Sequence, residues 1–208
     1  KTKVLIFAGD GGTFDIGFQA LSGAVERGHD FCYVCFDTAA YSNTGIQRSG
    51  ATPKYADTTT SPVGNKILGK MEWKKPMPLI LAAHNMPYVA TASVAFPIDL
   101  YKKVKKGLEM KGPAYVQVFS PCVPGWKFPT SQTVNVARKA VETCINPLYE
   151  IENGNYKLNY KPAKKINVEE YLKLQGRFKH LFKTRNKLLI KEIQKHVDNE
   201  WVKLLKLC

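Results

Sequence analysis

The stretch Val4-Leu5-Ile6-Phe7-Ala8-Gly9-Asp10-Gly11-Gly12 decides how the rest of this 208-residue chain is interpreted. Its five consecutive apolar residues predict a strand of a parallel sheet that is buried on both faces. The glycines follow, and a helical pattern from Asp15 to Arg27 then predicts a helix. A glycine-rich turn between a strand and a helix can hold a phosphate, because the backbone approaches closely and free N–H groups point at the anion.

A carboxylate and a hydroxyl follow two predicted strands. Asp10 lies in the glycine-rich turn, and Asp37-Thr38 follows the second apolar run, 31–36. A carboxylate beside a phosphate repels it unless a cation lies between them, and Mg²⁺ prefers oxygen ligands. Ligands of open α/β sheets lie outside the carboxyl ends of the strands. The two strand ends together therefore predict a diphosphate–Mg²⁺ site, although the turn is neither the dinucleotide fingerprint nor a P-loop.

Several sequence motifs of the chain are similar to those of one known family. Gly-Asp-Gly, with Thr38 lying 28 residues after Asp10, is similar to the thiamine diphosphate motif. A more specific likeness lies in Gly9-Asp10-Gly11-Gly12-Thr13-Phe14-Asp15-Ile16-Gly17, Tyr41-Ser42-Asn43-Thr44-Gly45-Ile46-Gln47-Arg48-Ser49, Ala51-Thr52-Pro53, Phe119-Ser120-Pro121-Cys122-Val123-Pro124-Gly125-Trp126 and Pro147-Leu148-Tyr149-Glu150-Ile151-Glu152-Asn153-Gly154. Together these segments resemble the beta subunit of pyruvate:ferredoxin oxidoreductase and its 2-oxoacid relatives, over most of the chain to about residue 155.

The resemblance implies a thiamine diphosphate-binding α/β fold, with a mostly parallel sheet flanked by helices and a C-terminal helical extension. It implies oxidative decarboxylation of a 2-oxoacid, pyruvate first, to acyl-CoA and CO₂, with electrons passed through 4Fe–4S clusters to ferredoxin. The implied partners are coenzyme A and other subunits of the alpha, gamma and delta type. The family's activating glutamate belongs to another subunit or domain, so this chain alone is expected to be inactive.

The resemblance also implies roles for individual residues. Mg²⁺ would be bound by Asp10, the Thr38 hydroxyl and the Ala40 carbonyl, and the diphosphate would approach the backbone of Gly9, Gly11 and Gly12. Asn43 would act as the catalytic residue beside the thiazolium and the substrate oxygen, with Thr44 next to it in the cofactor site. Without the resemblance, a simple turn is the favoured interpretation of Asn43-Thr44-Gly45.

Cys122 is the cysteine to which the resemblance assigns a metal. It follows the predicted strand 114–119 in a segment kept irregular by two prolines and a glycine. In the family, this position is the fourth ligand of a 4Fe–4S cluster near the thiamine ring, and the other three ligands lie upstream of the phosphate turn. We expect those ligands in a segment missing from this sequence, which begins at Lys1. A separate polypeptide, or a free buried Cys122 and no cluster, are the alternatives.

Cys32 and Cys35 have the spacing of a metal or redox motif. They lie in the predicted strand 31–36, where residues three apart point to opposite faces of the sheet. The two thiols are therefore not expected to bind one metal ion.

Charge and composition limit the classes of function. The chain has a net charge of +14, and residues 161–208 alone carry 13 Lys and Arg against 5 Asp and Glu. Such a basic surface could bind an acidic ferredoxin, lie against another subunit or simply face solvent. No nucleic-acid motif accompanies it. No apolar run approaches the ~20 residues of a membrane helix and no signal peptide is found, so neither a nucleic-acid nor a membrane partner is predicted, and the cytoplasm is the expected location.

Two other functions stay open beside the main one. The first is a cluster-free half of a thiamine diphosphate-dependent decarboxylase or transferase. The second is a basic, non-enzymatic interaction module that binds nucleic acid through residues 161–208.

The expected elements alternate between strand and helix, which predicts right-handed crossovers. Strands are predicted at 3–8, 31–36, 79–83 and 114–119, and helices at 15–27, about 88–95, 97–110 and 131–145, with two more at the end. Residues 38–77 have no periodicity and are expected to form a loop that covers the active site. The predicted division is an α/β domain at 1–155 and a basic helical extension at 156–208 that packs on the domain or on a partner subunit.

Overall fold

A single sheet of six strands organises the computed structural model, which describes residues 2–208. Its strands are β1 (Val4–Gly9), β2 (Phe31–Asp37), β3 (Tyr88–Ser93), β4 (Ala114–Phe119), β5 (Tyr149–Glu152) and β6 (Asn155–Leu158). They lie in the order β1-β2-β4-β3-β5-β6. The strands β1 to β4 are parallel to one another, β5 is antiparallel to β3, and β6 is antiparallel to β5. This mostly parallel α/β architecture confirms the predicted fold class.

The sheet is covered by helices on both faces. The helices are α1 (Phe18–Glu26), α2 (Met77–Ala82), α3 (Pro97–Glu109), α4 (Val123–Trp126), α5 (Thr133–Glu142), α6 (Glu169–Leu172) and α7 (Lys187–Leu207). Side chains of α1 and α2 pack against one face of the sheet, and side chains of α3 pack against the other. Of the helices in residues 2–208, none has the length and apolar character needed to cross a membrane.

Two predicted elements are wrong. The predicted strand 79–83 lies largely in α2, and the predicted helix at about 88–95 contains β3. A short apolar run fits a buried helix as well as a buried strand, and periodicity alone does not separate them. For α2 the informative signal was Pro78, because the first turn of a helix favours proline. For β3 no alternation of apolar and polar residues was available, because the strand is buried on both faces.

The strand pair β5–β6 was not predicted. It turns at Asn153-Gly154, where both residues have positive φ (48° and 81°). Asn-Gly is the preferred sequence for this kind of two-residue hairpin turn, so the signal was present. The proposed domain boundary after residue 155 falls inside this hairpin.

The two faces of β2 separate the cysteines of the Cys32–Cys35 pair. Cys32 packs with Val34 on the face covered by α3, whereas Cys35 packs with Tyr33 on the face covered by α1. The prediction that the two thiols point to opposite faces of the sheet is therefore confirmed.

The strand β1 differs from the prediction in its burial. It forms one edge of the sheet, and its side chains Val4, Leu5 and Phe7 are exposed. The prediction of a strand buried on both faces is wrong for the described residues, because only β2 pairs with it.

Residues 38–76 form no helix and no strand longer than a single bridge. The buried Lys70 ammonium fixes part of this segment, because it donates to the carbonyl oxygens of Thr52 (2.6 Å) and Gly50 (3.3 Å). Burial lowers the pKa of Lys70 to about 8. The segment is thus irregular but held by specific contacts, and it brings Ser49 and Thr52 against the ends of β1 and β2.

The C-terminal helix α7 packs on the domain. Ile193 and Val197 lie in one apolar cluster with Trp126 and Tyr171, while Leu204 joins the cluster on the α1 face of the sheet. Cys122 packs against the first of these clusters, so α7 and the Cys122 segment contribute to the same part of the core.

Candidate cofactor site

The carboxyl ends of β1 and β2 meet at a cavity of about 380 Å³. Its walls are Gly9, Asp10, Gly11, Gly12, Phe36, Thr38, Ala40, Tyr41, Ser42, Asn43 and Thr44. All eight residues predicted to bind the cofactor therefore line one cavity. It lies outside the strand ends, where open α/β sheets bind their ligands.

The glycine-rich turn has a distinctive backbone. Helical conformation begins at Asp10 and includes a π-helical turn at Gly12–Ile16, closed by a 2.8 Å bond from the Gly17 N–H to the Gly12 carbonyl. Such turns occur frequently at functional sites. A Cβ at Gly11 would lie 2.3 Å from the Tyr41 ring, whereas one at Gly12 would meet no atom within 4 Å. Gly12 lines the cavity and has open space where a side chain would lie, so a diphosphate could approach its backbone closely.

The Asp10 carboxylate is fully buried and accepts three hydrogen bonds. Its Oδ1 accepts from the Thr38 N–H (3.0 Å) and the Thr38 hydroxyl (2.9 Å), and its Oδ2 accepts from the Ser49 hydroxyl (2.6 Å). Burial, followed by the negative charge of Asp37, raises the pKa of Asp10 to about 6, although these hydrogen bonds oppose the shift. A bound cation would supply the charge compensation that the carboxylate lacks.

Three oxygen atoms meet at this wall of the cavity. Thr38 Oγ1 lies 2.9 Å from Asp10 Oδ1 and 3.1 Å from the Ala40 carbonyl oxygen. Adjacent ligands of an octahedral Mg²⁺ ion, at 2.0–2.1 Å from the metal, are about 2.9 Å apart. The left-handed backbone of Ala39 (φ 56°) turns the Ala40 carbonyl back toward Thr38.

This oxygen set fits Mg²⁺ better than a metal that prefers nitrogen or sulfur. Within residues 2–208 no three His, Cys, Asp or Glu side chains come together to hold a metal ion. One carboxylate with two neutral oxygens leaves positions for phosphate oxygens and water, which is how Mg²⁺ is usually bound.

Asp37 precedes Thr38 but does not line the cavity. It is fully buried, pairs with Lys74, and accepts a 2.7 Å hydrogen bond from the Gln117 amide. Its second oxygen accepts from the Ala39 N–H at 3.2 Å. Asp37 therefore supports the left-handed residue between Thr38 and Ala40.

Asn43 and Thr44 lie exposed in a loop at the rim of the cavity. The loop is closed by a bridge between Tyr41 and Gln47, and Gln47 also contacts Thr44 through two side-chain hydrogen bonds of 2.5 Å. Their position is compatible with contact to a cofactor, and their individual roles stay predictions.

Cys122 lies half-buried where the short helix α4 begins, rather than in a fully irregular loop. Trp126, at the end of α4, donates its backbone N–H to the Cys122 carbonyl (2.9 Å) and its indole N–H to the Thr38 carbonyl (2.8 Å). The Cys122 segment is thus tied to a residue of the cavity. Cys144 belongs to the apolar cluster against which Cys122 packs, but within residues 2–208 no three His, Cys, Asp or Glu side chains come together to hold a metal.

Three residues of the site were not singled out from the sequence: Ser42, Ser49 and Trp126. Ser42 Oγ lies 2.7 Å from Thr38 Oγ1, and Ser49 and Trp126 contact Asp10 and Thr38 as described above. All three fall inside the segments that carried the family resemblance, but spacing along the chain gave no reason to choose them.

Comparison with known proteins defines the class first. Residues 1–118 match the family described as thiamine pyrophosphate enzyme, C-terminal TPP binding domain. In structure, the chain is similar to a 2-oxoglutarate:ferredoxin oxidoreductase from Magnetococcus marinus with 2-oxoglutarate, coenzyme A and succinyl-CoA bound. The TM-score is 0.51 at 25% identity, over 62% of this chain and 50% of that one.

Individual relatives narrow the class. The chain is 55% identical over 200 residues to pyruvate synthase subunit PorB of Methanocaldococcus jannaschii, covering 96% of this chain and 66% of that protein. It is 51% identical over 199 residues to the PorB of Methanothermobacter marburgensis, with 96% and 68% coverage. It is 50% identical over 206 residues to ketoisovalerate oxidoreductase subunit VorB of Pyrococcus horikoshii, with 98% and 65% coverage. The chain therefore belongs to the PorB and VorB family, as the resemblance indicated, and spans about two thirds of the length of these relatives.

The two glycines of the turn are expected to respond differently to alanine. Gly12→Ala should leave the melting temperature unchanged but weaken thiamine diphosphate binding, since the added methyl group enters the cavity. Gly11→Ala should lower the free energy of unfolding by about 1–3 kcal/mol, because its methyl group overlaps the Tyr41 ring. Calorimetric unfolding and ligand titration check both. Wild-type affinity in Gly12→Ala would contradict this placement of the diphosphate.

Binding of Mg²⁺ with thiamine diphosphate should depend on pH through Asp10. Only the ionised carboxylate binds metal, and its pKa of about 6 lies above the ordinary aspartate value. Affinity should therefore fall about tenfold per pH unit below pH 6 and level off above it.

In the metal-free protein, the stability that Asp10 contributes should change with pH in the opposite direction to the metal affinity. The folded state holds the proton more tightly than the unfolded chain, so the contribution of Asp10 to stability decreases from about pH 4 to pH 6.

Titration calorimetry across pH 5–8, in buffers of different ionisation enthalpy, measures the affinity and the proton released. A binding midpoint near the ordinary aspartate pKa, with no proton released at pH 6, would contradict the assignment.

Proposed function

We propose that this chain is the thiamine diphosphate-binding subunit of a 2-oxoacid:ferredoxin oxidoreductase, with pyruvate as the first candidate substrate. The observation that carries the proposal is the meeting of Asp10 Oδ1, Thr38 Oγ1 and the Ala40 carbonyl beside an open glycine turn. The names of the relatives, pyruvate synthase and ketoisovalerate oxidoreductase subunits, support a 2-oxoacid as the substrate class.

Thiamine diphosphate, when bound, supplies the carbanion chemistry by which a 2-oxoacid loses CO₂ and its acyl group passes to coenzyme A. The residues of this chain bind and orient. Asp10, Thr38 and Ala40 would bind Mg²⁺, and the diphosphate would lie close to the backbone of Gly9, Gly11 and Gly12. Asn43 would orient the substrate oxygen at the rim, with Thr44 beside it.

The cavity supports a need for partner subunits. Among its described lining residues, Asp10 is the one carboxylate, and its proposed role is to bind metal. No carboxylate is left there to activate the aminopyrimidine of thiamine. The activating glutamate and the rest of the active site would come from other subunits of a cytoplasmic complex.

Cys122 is the residue of this chain that could bind an iron–sulfur cluster in the family. One thiol does not hold a 4Fe–4S cluster, so the described residues alone do not fit this group. We propose Cys122 as one ligand, with the others outside the described residues. This proposal is supported by the partial exposure of Cys122 and by its link to Thr38 through Trp126.

Iron and acid-labile sulfide analysis of the native complex tests the cluster ligand. Cys122→Ser should lose the iron and sulfide of one cluster, whereas Cys208→Ser, at an exposed cysteine, should lose none. Equal iron in wild type and Cys122→Ser would contradict the ligand. A wild-type complex without iron or sulfide would favour the cluster-free decarboxylase or transferase.

The basic part of the chain offers a surface for an acidic protein such as ferredoxin. Between residues 179 and 195, six exposed cations have no ion pair among the described residues: Lys179, Lys183, Arg185, Lys187, Lys191 and Lys195. The acid within this segment, Glu192, is paired with Lys54. Docking here would make the KM for ferredoxin rise with salt, whereas a surface covered by another subunit would give no such dependence.

The activity assay is the reduction of ferredoxin or a viologen dye by pyruvate and coenzyme A, using the native complex. Asp10→Asn should reduce the rate by at least about 100-fold and abolish retention of thiamine diphosphate, because the metal loses its charged ligand. Glu109→Gln, which changes an exposed carboxylate on α3, is the matched control and should behave as wild type. If Asp10→Asn retains thiamine diphosphate and the wild-type rate of ferredoxin or viologen reduction, the proposal is wrong.

A further inference from the structure

The segment Ser49-Gly50-Ala51-Thr52 is connected by hydrogen bonds to the Asp10 carboxylate and to the Ala39 carbonyl, which belongs to the peptide that precedes Ala40. Ser49 and Thr52 are both buried, and neither belongs to the set of residues predicted to bind the cofactor. Thr52 does not line the cavity, and Ser49 borders a neighbouring cavity instead.

The first chain of hydrogen bonds ends on Asp10. The Ala51 N–H donates to Ser49 Oγ (3.1 Å), so the Ser49 oxygen is used as an acceptor on that side. The hydroxyl hydrogen of Ser49 is then directed to Asp10 Oδ2, at 2.6 Å. With Oδ2 held in this way, Oδ1 is the oxygen that faces Thr38 and the cavity. Ser49 therefore sets the rotation of the Asp10 carboxylate.

The second chain ends on the peptide that precedes Ala40. The Ser49 N–H donates to Thr52 Oγ1 (2.9 Å), and the Thr52 hydroxyl donates to the Ala39 carbonyl (2.8 Å). Ala39 has the left-handed backbone that turns the Ala40 carbonyl toward Thr38. A non-glycine residue keeps such a backbone only where its surroundings enforce it. Thr52 is one of the groups that do so.

We propose that Ser49 and Thr52 are positioning residues of the Mg²⁺ site, Ser49 acting through Asp10 and Thr52 through the Ala39–Ala40 peptide. The proposal rests on the proposed function, since it assumes that Asp10 and Ala40 bind the metal. Neither residue touches metal or cofactor. Groups that orient metal ligands in this way typically change metal affinity 10–100-fold when they are removed.

The test measures thiamine diphosphate binding to the native complex as a function of Mg²⁺ concentration. Ser49→Ala and Thr52→Val each remove one hydroxyl and should raise the half-saturating Mg²⁺ concentration about 10–100-fold. Thr52→Ser keeps the hydroxyl and should restore the wild-type value. Thr58→Val and Ser93→Ala are matched controls, because both side chains are buried and neither contacts a proposed ligand; they should not change it.

The outcomes separate positioning from a structural role. If Ser49→Ala and Thr52→Val unfold at lower temperature but require the same Mg²⁺ concentration as wild type, the proposal is overturned. If Ser49→Ala does not fold, the half-saturating Mg²⁺ concentrations of Thr52→Val and Thr52→Ser are compared instead, and equal values overturn the proposal. If wild type shows no Mg²⁺-dependent binding of thiamine diphosphate, the proposed function itself fails. Wild-type binding with unaltered variants overturns the positioning role alone.

Discussion

The buried carboxylate of Asp10 is the constraint on which the site depends. It joins three parts of the chain, because it follows β1, accepts two hydrogen bonds from Thr38 after β2, and accepts a third from Ser49 in the irregular segment. Placing a carboxylate out of water is unfavourable unless hydrogen bonds or an opposite charge compensate it. Burial and the charge of Asp37 raise the pKa of Asp10, although the three hydrogen bonds oppose that shift. A cation in the cavity would complete the compensation, as the proposed Mg²⁺ site requires.

A second buried carboxylate, Asp37, is compensated by a cationic side chain rather than by hydrogen bonds alone. Asp37 lies close enough to raise the pKa of Asp10, but it is paired with Lys74 and bonded to Gln117. Its charge thus has a partner inside the protein. Two neighbouring carboxylates with different partners can serve different purposes: Asp37 supports the backbone at Ala39, and Asp10 remains available to a metal.

Trp126 extends this arrangement toward the C-terminal part of the chain. Its indole N–H holds the Thr38 carbonyl, and the Arg177 guanidinium stacks over its ring at 3.8 Å. Burial lowers the pKa of Arg177, although the aromatic face below it favours the cation. The cavity, the Cys122 segment and the basic surface are therefore parts of one packed unit rather than separate modules.

The amino-acid sequence by itself determined the strand–turn–helix that carries Asp10, the second strand that carries Thr38, and their meeting at one edge of a parallel sheet. These features follow from local patterns, since apolar runs, glycines and parallel strand ends are visible within short windows. The helix at 77–82, the strand at 88–93 and the edge position of β1 were decided by tertiary packing, because a short apolar run fits either element and its neighbours determine its burial. The supporting contacts to Asp10 and Thr38 were also decided there. Ser49 and Trp126 lie 39 and 88 residues from the groups they hold, and no local pattern encodes a hydrogen bond across such a separation.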